Sequence, residues 1–324
     1  MPTLTQLEYA VAVDRLRHFG AAARACHVSQ PTLSMQLQKL EAEAGFPIFD
    51  RERKPVVPTG RGRDYLAQAK QILQQYEKLL HVAGGAPGEV RGEFKLGVIP
   101  TLAPYLIPLF IQEFSERFPQ VELHIDEMKT KSILDGLRQE TIDAGIAATP
   151  LQESSLKEFP LFYEPFEAYV AAGHPLARKK TIREKDLRDG DMWLLQDGHC
   201  FRNQVIRFCG LKEAPGYFKN IHFEAGNLET LRNLIRGTGG YTLIPHLLAA
   251  SLEPAERAKH VRSFSGSVPM REVGLICRRD EWKQDIIDGI REVIAKSLPR
   301  TLAPAAGKRP SVLQVAPPRG RSRF

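Results

Sequence analysis

Alternating strand-like and helix-like segments run through most of this 324-residue chain, and they constrain its fold more than any other feature. Short apolar runs that suit buried strands are followed by longer segments with apolar residues at helical spacing. This alternation is typical of βαβ units in a parallel sheet. The first series consists of strand 94–99, helix 104–118, strand 121–125, helix 132–139 and strand 143–148. We therefore predict an α/β fold.

A second series repeats the alternation further along the chain. It consists of strands 167–172, 192–196 and 221–223, helix 228–236 and strand 241–244. Strand 273–278 and helix 285–298 are then expected to return to the first sheet. Two α/β subdomains follow from this pattern, and the cleft between such subdomains is the usual small-molecule site.

The N-terminal segment predicts three short helices. Leu4, Leu7 and Val11 recur at helical spacing, and residues 19–26 form a second segment that is rich in alanine. A third helix is expected to run from an N-cap at residue 29 to about residue 43. Two short helices that cross closely make a helix-turn-helix, whose second helix enters the major groove of DNA. The candidate DNA-contacting residues there are Ser29, Gln30, Pro31, Thr32, Ser34 and Gln36.

A basic segment follows this module directly. Residues 51–63 contain five basic residues against one acidic residue, which suits a wing that contacts DNA phosphates. Arg51 and Arg53 are the candidate contacts. Such a run is usually a solvated surface, but its place after a helix-turn-helix favours phosphate contact. Pro55 and Pro58 cannot donate ladder hydrogen bonds, so regular pairing in the wing is expected to be interrupted.

Residues 65–83 carry a long apolar seam. A seam of this length with no partner in its own small domain predicts a two-stranded coiled coil between subunits. Packing on its own domain is the alternative. A dimer predicts a two-fold site on double-stranded DNA, with half-sites about one helical turn or a multiple apart. The seam consists of Leu66, Ala69, Ile72, Leu73, Tyr76, Leu79, Leu80 and Ala83.

Global composition sets further limits. The length predicts two or three domains, and the 43% hydrophobic fraction is that of a soluble globular protein. The chain has no run of 18 apolar residues and no signal-peptide pattern at residues 1–6, so we expect a cytoplasmic protein without membrane association. Residues 302–324 contribute +5 of the net charge of +7, so the DNA-binding prediction depends on local motifs. This basic tail is expected to be disordered.

One segment sets a cysteine in a reactive context. Cys200 follows His199 and precedes Cys209 by nine positions, with Arg202 and Arg207 between them. Nearby histidine and arginine charge, or a helix N-terminus, favours the reactive thiolate. In a helix, nine steps of 1.5 Å place the two α-carbons roughly 13 Å apart, whereas a disulfide tolerates about 7 Å. A bond between them would therefore require the helix to unfold.

The alternative is that both cysteines are buried small hydrophobes. We expect that role for Cys26 and Cys277, whose sequence neighbours suggest no chemistry. The flanking basic residues at Cys200 favour the reactive interpretation there.

The chain resembles the LysR-type transcriptional regulators, and among them the peroxide-sensing members. The matching runs are residues 26–34, 96–101, 104–108, 227–233 and 237–245 together with the cysteine segment. The resemblance implies a winged helix-turn-helix at 1–60, a linker and dimerisation helix at 61–90, and a redox-sensing effector domain at 91–301. The effector would have two Rossmann-like, periplasmic-binding-protein-like subdomains, one at about 91–163 and 268–301 and the other at about 164–267.

The resemblance also implies a redox site. Cys200 would react with hydrogen peroxide, and Cys209 would be its disulfide partner. The residues that would polarise the peroxide are Thr101, Thr130, His199 and Arg271. Each has a structural alternative: either threonine caps a helix, the histidine makes a local hydrogen bond, or the arginine lies on a solvated surface.

The implied protein is a homotetramer, built as a dimer of dimers, that activates transcription in the oxidative-stress response. Its expected partners are double-stranded DNA, further copies of itself, RNA polymerase and cellular disulfide reductants. Hydrogen peroxide is the expected oxidant, and neither a cofactor nor a metal is expected.

Three other functions share parts of this pattern. A LysR-type regulator that senses a small ligand in the cleft would leave the cysteines unused. A thiol peroxidase would share the cysteine chemistry, although the helix-turn-helix argues against an enzyme. A solute-binding protein would share the two-lobed fold but would not need residues 1–90.

Overall fold

The computed structural model describes residues 1–83, 90–187, 192–210, 217–218, 221–302, 312–313 and 315. The chain divides into two compact units, Met1–Glu89 and Val90–Phe324. No helix among these residues is long and apolar enough to cross a membrane.

The N-terminal unit contains the three predicted helices. Their bounds are α1 Leu4–Leu16, α2 Phe19–Ala25 and α3 Gln30–Ala44. Thr3 and Gln6 form a capping box at the start of α1, and Ser29 caps α3 by accepting a hydrogen bond from the Thr32 amide. Gly45, at φ 76°, ends α3 in the left-handed region that favours glycine.

The wing is a minimal hairpin. Strand β1 covers Phe49–Asp50, and β2 covers Val57–Pro58. The two strands pair antiparallel over two residues each. This short ladder agrees with the expectation that prolines interrupt regular pairing here.

Helix α4 runs over Gly60–Ala83 and combines both alternatives for the apolar seam. Leu66 and Ala69 are buried in the core that α1 to α3 form, so this half of the helix packs on its own unit. The prediction that the seam has no partner in its own unit was wrong for Leu66 and Ala69. Ile72 and Leu79 are 50% and 62% exposed, so this part of the helix keeps apolar surface that its own unit does not cover.

The second unit is built on an eight-stranded sheet, with strand order β4-β3-β5-β12-β6-β11-β7 and β10 paired with β6. The strands are β3 Gly92–Val98, β4 Val121–Glu127, β5 Ala144–Thr149, β6 Leu156–Val170, β7 Thr181–Ile182, β10 Tyr241–Pro245, β11 Val261–Phe264 and β12 Met270–Arg278, and β8 Tyr217–Phe218 pairs with β9 Ile221–His222 in a separate hairpin. The helices are α5 Ala103–Arg117, α6 Thr130–Arg138, α7 Cys200–Cys209, α8 Leu228–Thr238, α9 His246–Ser251, α10 Pro254–His260 and α11 Gln284–Ser297.

The βαβ alternation predicted a parallel sheet, and parallel pairing holds for part of the observed sheet. Strand β3 pairs parallel with β4 and β5, as βαβ units require. Strand β6 pairs antiparallel with β12, β10 and β11. The prediction missed this because β6 begins 11 residues before the expected position and is long enough to span both halves. The predicted strand 192–196 is reduced to isolated bridges at Met192 and Leu195.

Two hydrophobic cores lie along this unit. The first includes Phe94, Phe162 and Ile290, and the second includes Phe166, Leu243 and Phe264. Strand β6 contributes to both, so it connects the two halves. The predicted fold class is confirmed, with two Rossmann-like halves joined by long strands. The residue boundaries of the domains stay predictions.

The C-terminal end differs from the prediction of a disordered tail. Leu302 and Val315 are 2% and 7% exposed and pack into the first core, and Leu313 packs against the second. The prediction was wrong for these residues because it weighed the basic and proline residues and not the apolar ones between them. The basic residues of the tail lie outside the described part of the chain.

Candidate DNA-binding surface and buried thiol site

The start of α3 presents a polar surface. Gln30 and Pro31 are exposed in its first turn, while the Ser29 hydroxyl is used in capping. Thr32 donates its amide to that cap and is half-buried. The first turn thus holds side chains of the kind that read base edges at the N-terminal end of a recognition helix.

Further along α3, the side chains differ in whether neighbouring residues already hold them. Gln36 accepts a hydrogen bond from Gln6 at 3.1 Å, which fixes its side chain against α1. Met35 is 59% exposed on the same helix, and sequence reasoning missed it. Its place between the polar residues Ser34 and Gln36 was the signal available in the sequence. Apolar groups at this position can contact thymine methyls.

The two wing arginines have different surroundings. Arg51 pairs with Glu41 at 2.7 Å, approaches the Ser34 hydroxyl at 3.4 Å and lies 5.2 Å above the Phe19 ring. Its guanidinium therefore orders the corner between helix and wing. Arg53 pairs with Asp50 at 3.2 Å, but its side chain is 73% exposed, so it can reach a phosphate.

In the second unit, strand topology gathers the polar candidates at one edge. Parallel strands β3 and β4 end together, and Thr101 and Thr130 follow their carboxyl ends. Strand β12 runs antiparallel to β5, so Arg271 at its beginning lies at the same edge. Carboxyl ends of parallel strands are the usual place for a site in α/β proteins.

Arg271 is fully buried and tightly held. Its Nε and Nη2 donate to Glu164 Oε2 at 2.8 and 2.6 Å, and Nη1 donates to Thr101 Oγ1 at 2.9 Å. Its guanidinium lies 5.5 Å from the centroid of the Phe201 ring, and Phe201 directly follows Cys200 in the sequence. The alternative that Arg271 lies on a solvated surface was wrong. Thr101 also caps no helix, because the N-cap of α5 is Leu102 and no side chain caps it.

Glu164 is the site residue that sequence reasoning missed. Its side chain is 0% exposed within an apolar stretch of β6, and it carries the negative charge that balances Arg271. A buried charge must be paired, so an acidic residue inside a strongly apolar strand was the available signal. The Glu164–Arg271 pair leaves little net positive charge to act on a nearby thiolate.

The cysteine segment forms the predicted helix. Cys200 is the first residue of α7, His199 is its N-cap, and Cys209 is the last helical residue before Gly210 at φ 65°. Cys200 is 8% exposed, Cys209 is half-buried, and neither is in a disulfide. Nine helical steps separate the α-carbons by roughly 13 Å, so the two thiols cannot bond while α7 persists.

His199 is buried, and its surroundings lower its pKa. Burial lowers its pKa, the charge of Lys129 lowers it further, and a hydrogen bond with the Gly226 backbone acts in the opposite direction. This direction disfavours the charged imidazole, so the contribution of His199 charge to a thiolate stays a prediction. The positive end of α7 and its backbone amides remain as the stabilising influence on a Cys200 thiolate.

Two buried polar atoms near this helix start have no hydrogen-bond partner. They are Thr130 Oγ1 and His199 Nε2. Thr130 begins α6 without capping it, and its neighbour Lys129 reaches across to the Asp197 carbonyl at 3.3 Å, next to the Cys200 segment. Because buried polar groups are nearly always paired, these atoms suit a small polar ligand.

The other cysteines have the structural surroundings expected of them. Cys277 is 0% exposed in β12, and burial raises the pKa of its thiol to about 11. Cys26 lies at the end of α2, where burial also raises its pKa. Both environments disfavour the thiolate.

Comparisons with known proteins agree with this architecture. The bacterial regulatory helix-turn-helix protein, lysR family, matches residues 4–63, and the LysR substrate binding domain matches residues 87–298. The chain therefore belongs to the LysR family of DNA-binding transcriptional regulators.

Within that family, the chain is similar to OxyR proteins. It is 36% identical to the DNA-binding transcriptional dual regulator OxyR of Escherichia coli, over 85% of this chain and 89% of the relative. It is 34% identical to the hydrogen peroxide-inducible genes activator of Haemophilus influenzae, over 85% of this chain and 90% of the relative.

Solved structures give the same result. Full-length OxyR from Pseudomonas aeruginosa, a cysteine-to-aspartate variant, is 35% identical with a TM-score of 0.73, covering 90% of this chain and 97% of that one. A cysteine-to-serine variant of Corynebacterium glutamicum OxyR with hydrogen peroxide bound is 32% identical with a TM-score of 0.61, covering 92% and 94%.

Proposed function

We propose that this protein is a transcriptional activator that responds to hydrogen peroxide through oxidation of Cys200. The observation that carries the proposal is the start of α7, where a cysteine lies at a helix N-terminus near two buried polar atoms without partners. The similarity to hydrogen peroxide-inducible activators and to a peroxide-bound structure supports it.

In the first chemical step, the Cys200 thiolate attacks one peroxide oxygen and the O–O bond breaks. The second oxygen leaves as hydroxide and takes a proton to become water, while the sulfur becomes a sulfenic acid. Thr130 and His199 supply polar groups for the peroxide and the departing oxygen. Arg271 donates a hydrogen bond to the Thr101 hydroxyl, and this contact fixes both side chains at the same edge of the sheet.

In the second step, the Cys209 sulfur attacks the Cys200 sulfenic acid. An S–S bond forms, the S–O bond of the sulfenic acid breaks, and that oxygen leaves as water with the Cys209 thiol proton, so one peroxide has taken two electrons from two thiols. This step requires α7 to unfold, because the helix holds the sulfurs apart. Unfolding repositions Phe201, Val205 and Phe208, which pack in the second core.

The rearrangement would reach DNA through the oligomer. The exposed apolar residues of α4 suit pairing between two copies, and two such dimers would make a tetramer. Cys200 oxidation would alter how the copies pack and therefore the spacing of their recognition helices on DNA. Cellular disulfide reductants would reset the switch, and RNA polymerase would be contacted at the promoter.

DNA footprinting with reduced and oxidised protein tests this proposal. The oxidised wild type should give a footprint that differs from the reduced one, and Cys200→Ser should keep the reduced footprint after peroxide. Cys277→Ala is the matched control, since it removes another buried thiol and should still switch. Identical footprints of reduced and oxidised wild type would refute the proposal.

The same samples separate the alternatives. A regulator of a small ligand would show no Cys200–Cys209 linkage by mass spectrometry after brief substoichiometric peroxide. A thiol peroxidase would sustain turnover of peroxide with a reductant, whereas a sensor should consume about one peroxide for each disulfide formed.

A further inference from the structure

The C-terminal segment around Leu313 lies on the helix that carries the two cysteines. Gln204, in the middle of α7, donates its side-chain Nε2 to the Leu313 carbonyl at 2.9 Å. The Leu313 amide donates to the Met270 carbonyl at 2.8 Å. Both backbone groups of one residue thus connect α7 to the start of β12, directly beside Arg271.

Apolar contacts accompany these hydrogen bonds. Leu313 packs against the second core, which contains Phe201, Val205 and Phe208 of α7. Val315 is 7% exposed and belongs to the first core, which also includes Cys200. The segment therefore lies where both cores meet α7, and its burial stabilises the arrangement that contains the helix.

Gln204 makes the contact dependent on the helical state. Its side chain is 0% exposed and lies four residues after Cys200 and five before Cys209. Any conformation that brings the two sulfurs within bonding distance must unwind this part of α7 and move Gln204. The Leu313 contact is then lost, so the segment binds the reduced form in preference to the disulfide form.

We propose that Leu313 and Val315 form a strap that sets the oxidation threshold of the Cys200–Cys209 switch, an inference that rests on the proposed function. A contact made only by the reduced state stabilises that state and raises the reduction potential of the disulfide. The strap therefore makes the disulfide harder to form and easier to reduce. Leu313 and Gln204 act as positioning residues, because they hold the helix and do not contact peroxide.

A glutathione redox titration of full-length protein and two truncations tests the strap. In each, one oxidised glutathione accepts two electrons and two thiol hydrogens to give two reduced glutathiones as the Cys200–Cys209 bond forms. A chain ending at Pro310 lacks the strap. A chain ending at Pro318 keeps the strap and lacks Arg319, Arg321 and Arg323, so it controls for lost charge.

The expected result is an equilibrium constant for disulfide formation about tenfold larger in the chain ending at Pro310, or about 30 mV for this two-electron couple. The chain ending at Pro318 should match the full-length protein. Equal constants in all three proteins, with the disulfide formed, would overturn the strap alone. Absence of the disulfide in the full-length protein would instead overturn the proposed function, and the strap with it.

Two point variants keep the test informative if the shorter chain fails to fold. Leu313→Ala and Gln204→Met in the full-length protein should each shift the constant in the same direction by a smaller factor. Hydrogen–deuterium exchange of the reduced proteins supplies a separate readout. Amides of α7 should exchange faster in both variants than in wild type, and unchanged exchange would contradict docking of the strap on the helix.

Discussion

Cys200 and Cys277 are buried in the same hydrophobic core, yet the structure gives them opposite chemical surroundings. Cys277 lies within a strand, where burial and the charge of Glu281 raise its pKa to about 11. Cys200 begins a helix, close to polar atoms that lack partners. Burial alone therefore disfavours ionisation of Cys277, whereas Cys200 combines burial with a helix N-terminus, the feature that favours a reactive thiol.

The largest expected effect is on reaction with peroxide. At pH 7 a thiol with a pKa of about 11 is ionised in about one molecule in 10,000. Cys277→Ala should therefore leave the rate of peroxide oxidation unchanged. Cys200→Ser should abolish the fast phase of oxidation, which we assign to the Cys200 thiolate. Stopped-flow oxidation followed by thiol-trapping mass spectrometry measures both. A fast phase that survives in Cys200→Ser would remove the contrast between the two cysteines.

The buried Glu164–Arg271 pair lies near Cys200, and its loss should lower the free energy of unfolding substantially. Glu164→Leu leaves the Arg271 charge uncompensated, so the free energy of unfolding should fall by about 3 to 5 kcal/mol. Urea unfolding measures this change. The exposed Arg117–Glu292 pair is the control, and Arg117→Ala should lower the free energy of unfolding far less, because solvent screens that pair.

A double variant shows whether the lost stability comes from the unpaired charge. Glu164→Leu with Arg271→Met removes both charges and should recover most of the loss. If the double variant is as unstable as Glu164→Leu, packing in β6 and not charge is the cause.

Cys277 should make stability fall at alkaline pH. Because burial raises its folded pKa from about 9 to about 11, the neutral thiol's contribution is fully present below pH 9 and is lost as pH rises through 11. The difference in unfolding free energy between wild type and Cys277→Ala should shrink in that window by up to about 1.4 kcal/mol per pH unit. A difference that stays constant from pH 8 to 11 would show that the buried thiol is not perturbed.

The sequence predicted local features well and long-range partnerships poorly. Ser29 as a cap and Cys200 at a helix start follow from neighbours in the chain, so spacing rules found them. Glu164 was missed because its partner, Arg271, lies 107 residues away. The lowered pKa of His199 was missed because burial is its main cause, and the sequence does not show which loop residues are buried.

The position of Leu313 follows the same rule. The charge and proline content of the tail indicated disorder, but two backbone hydrogen bonds and two core contacts hold its apolar residues. Strand β6 was mispredicted at its start for a related reason: its pairing with β12 extends regular structure into residues that show no strand pattern of their own.

The smallest effects separate the two threonines that lie at the edge of the sheet. Thr101→Val removes the hydroxyl that accepts from Arg271 Nη1 and should lower the unfolding free energy by about 1 to 3 kcal/mol. Thr130→Val removes a hydroxyl that has no partner, so stability should stay within about 0.5 kcal/mol. Peroxide oxidation of Cys200 should nevertheless slow in Thr130→Val, because the free hydroxyl is the group available to the oxidant. Chemical denaturation and stopped-flow kinetics on the same preparations measure the two properties. If Thr130→Val loses stability and keeps the wild-type rate, its hydroxyl is structural and the site beside Cys200 must be smaller than proposed.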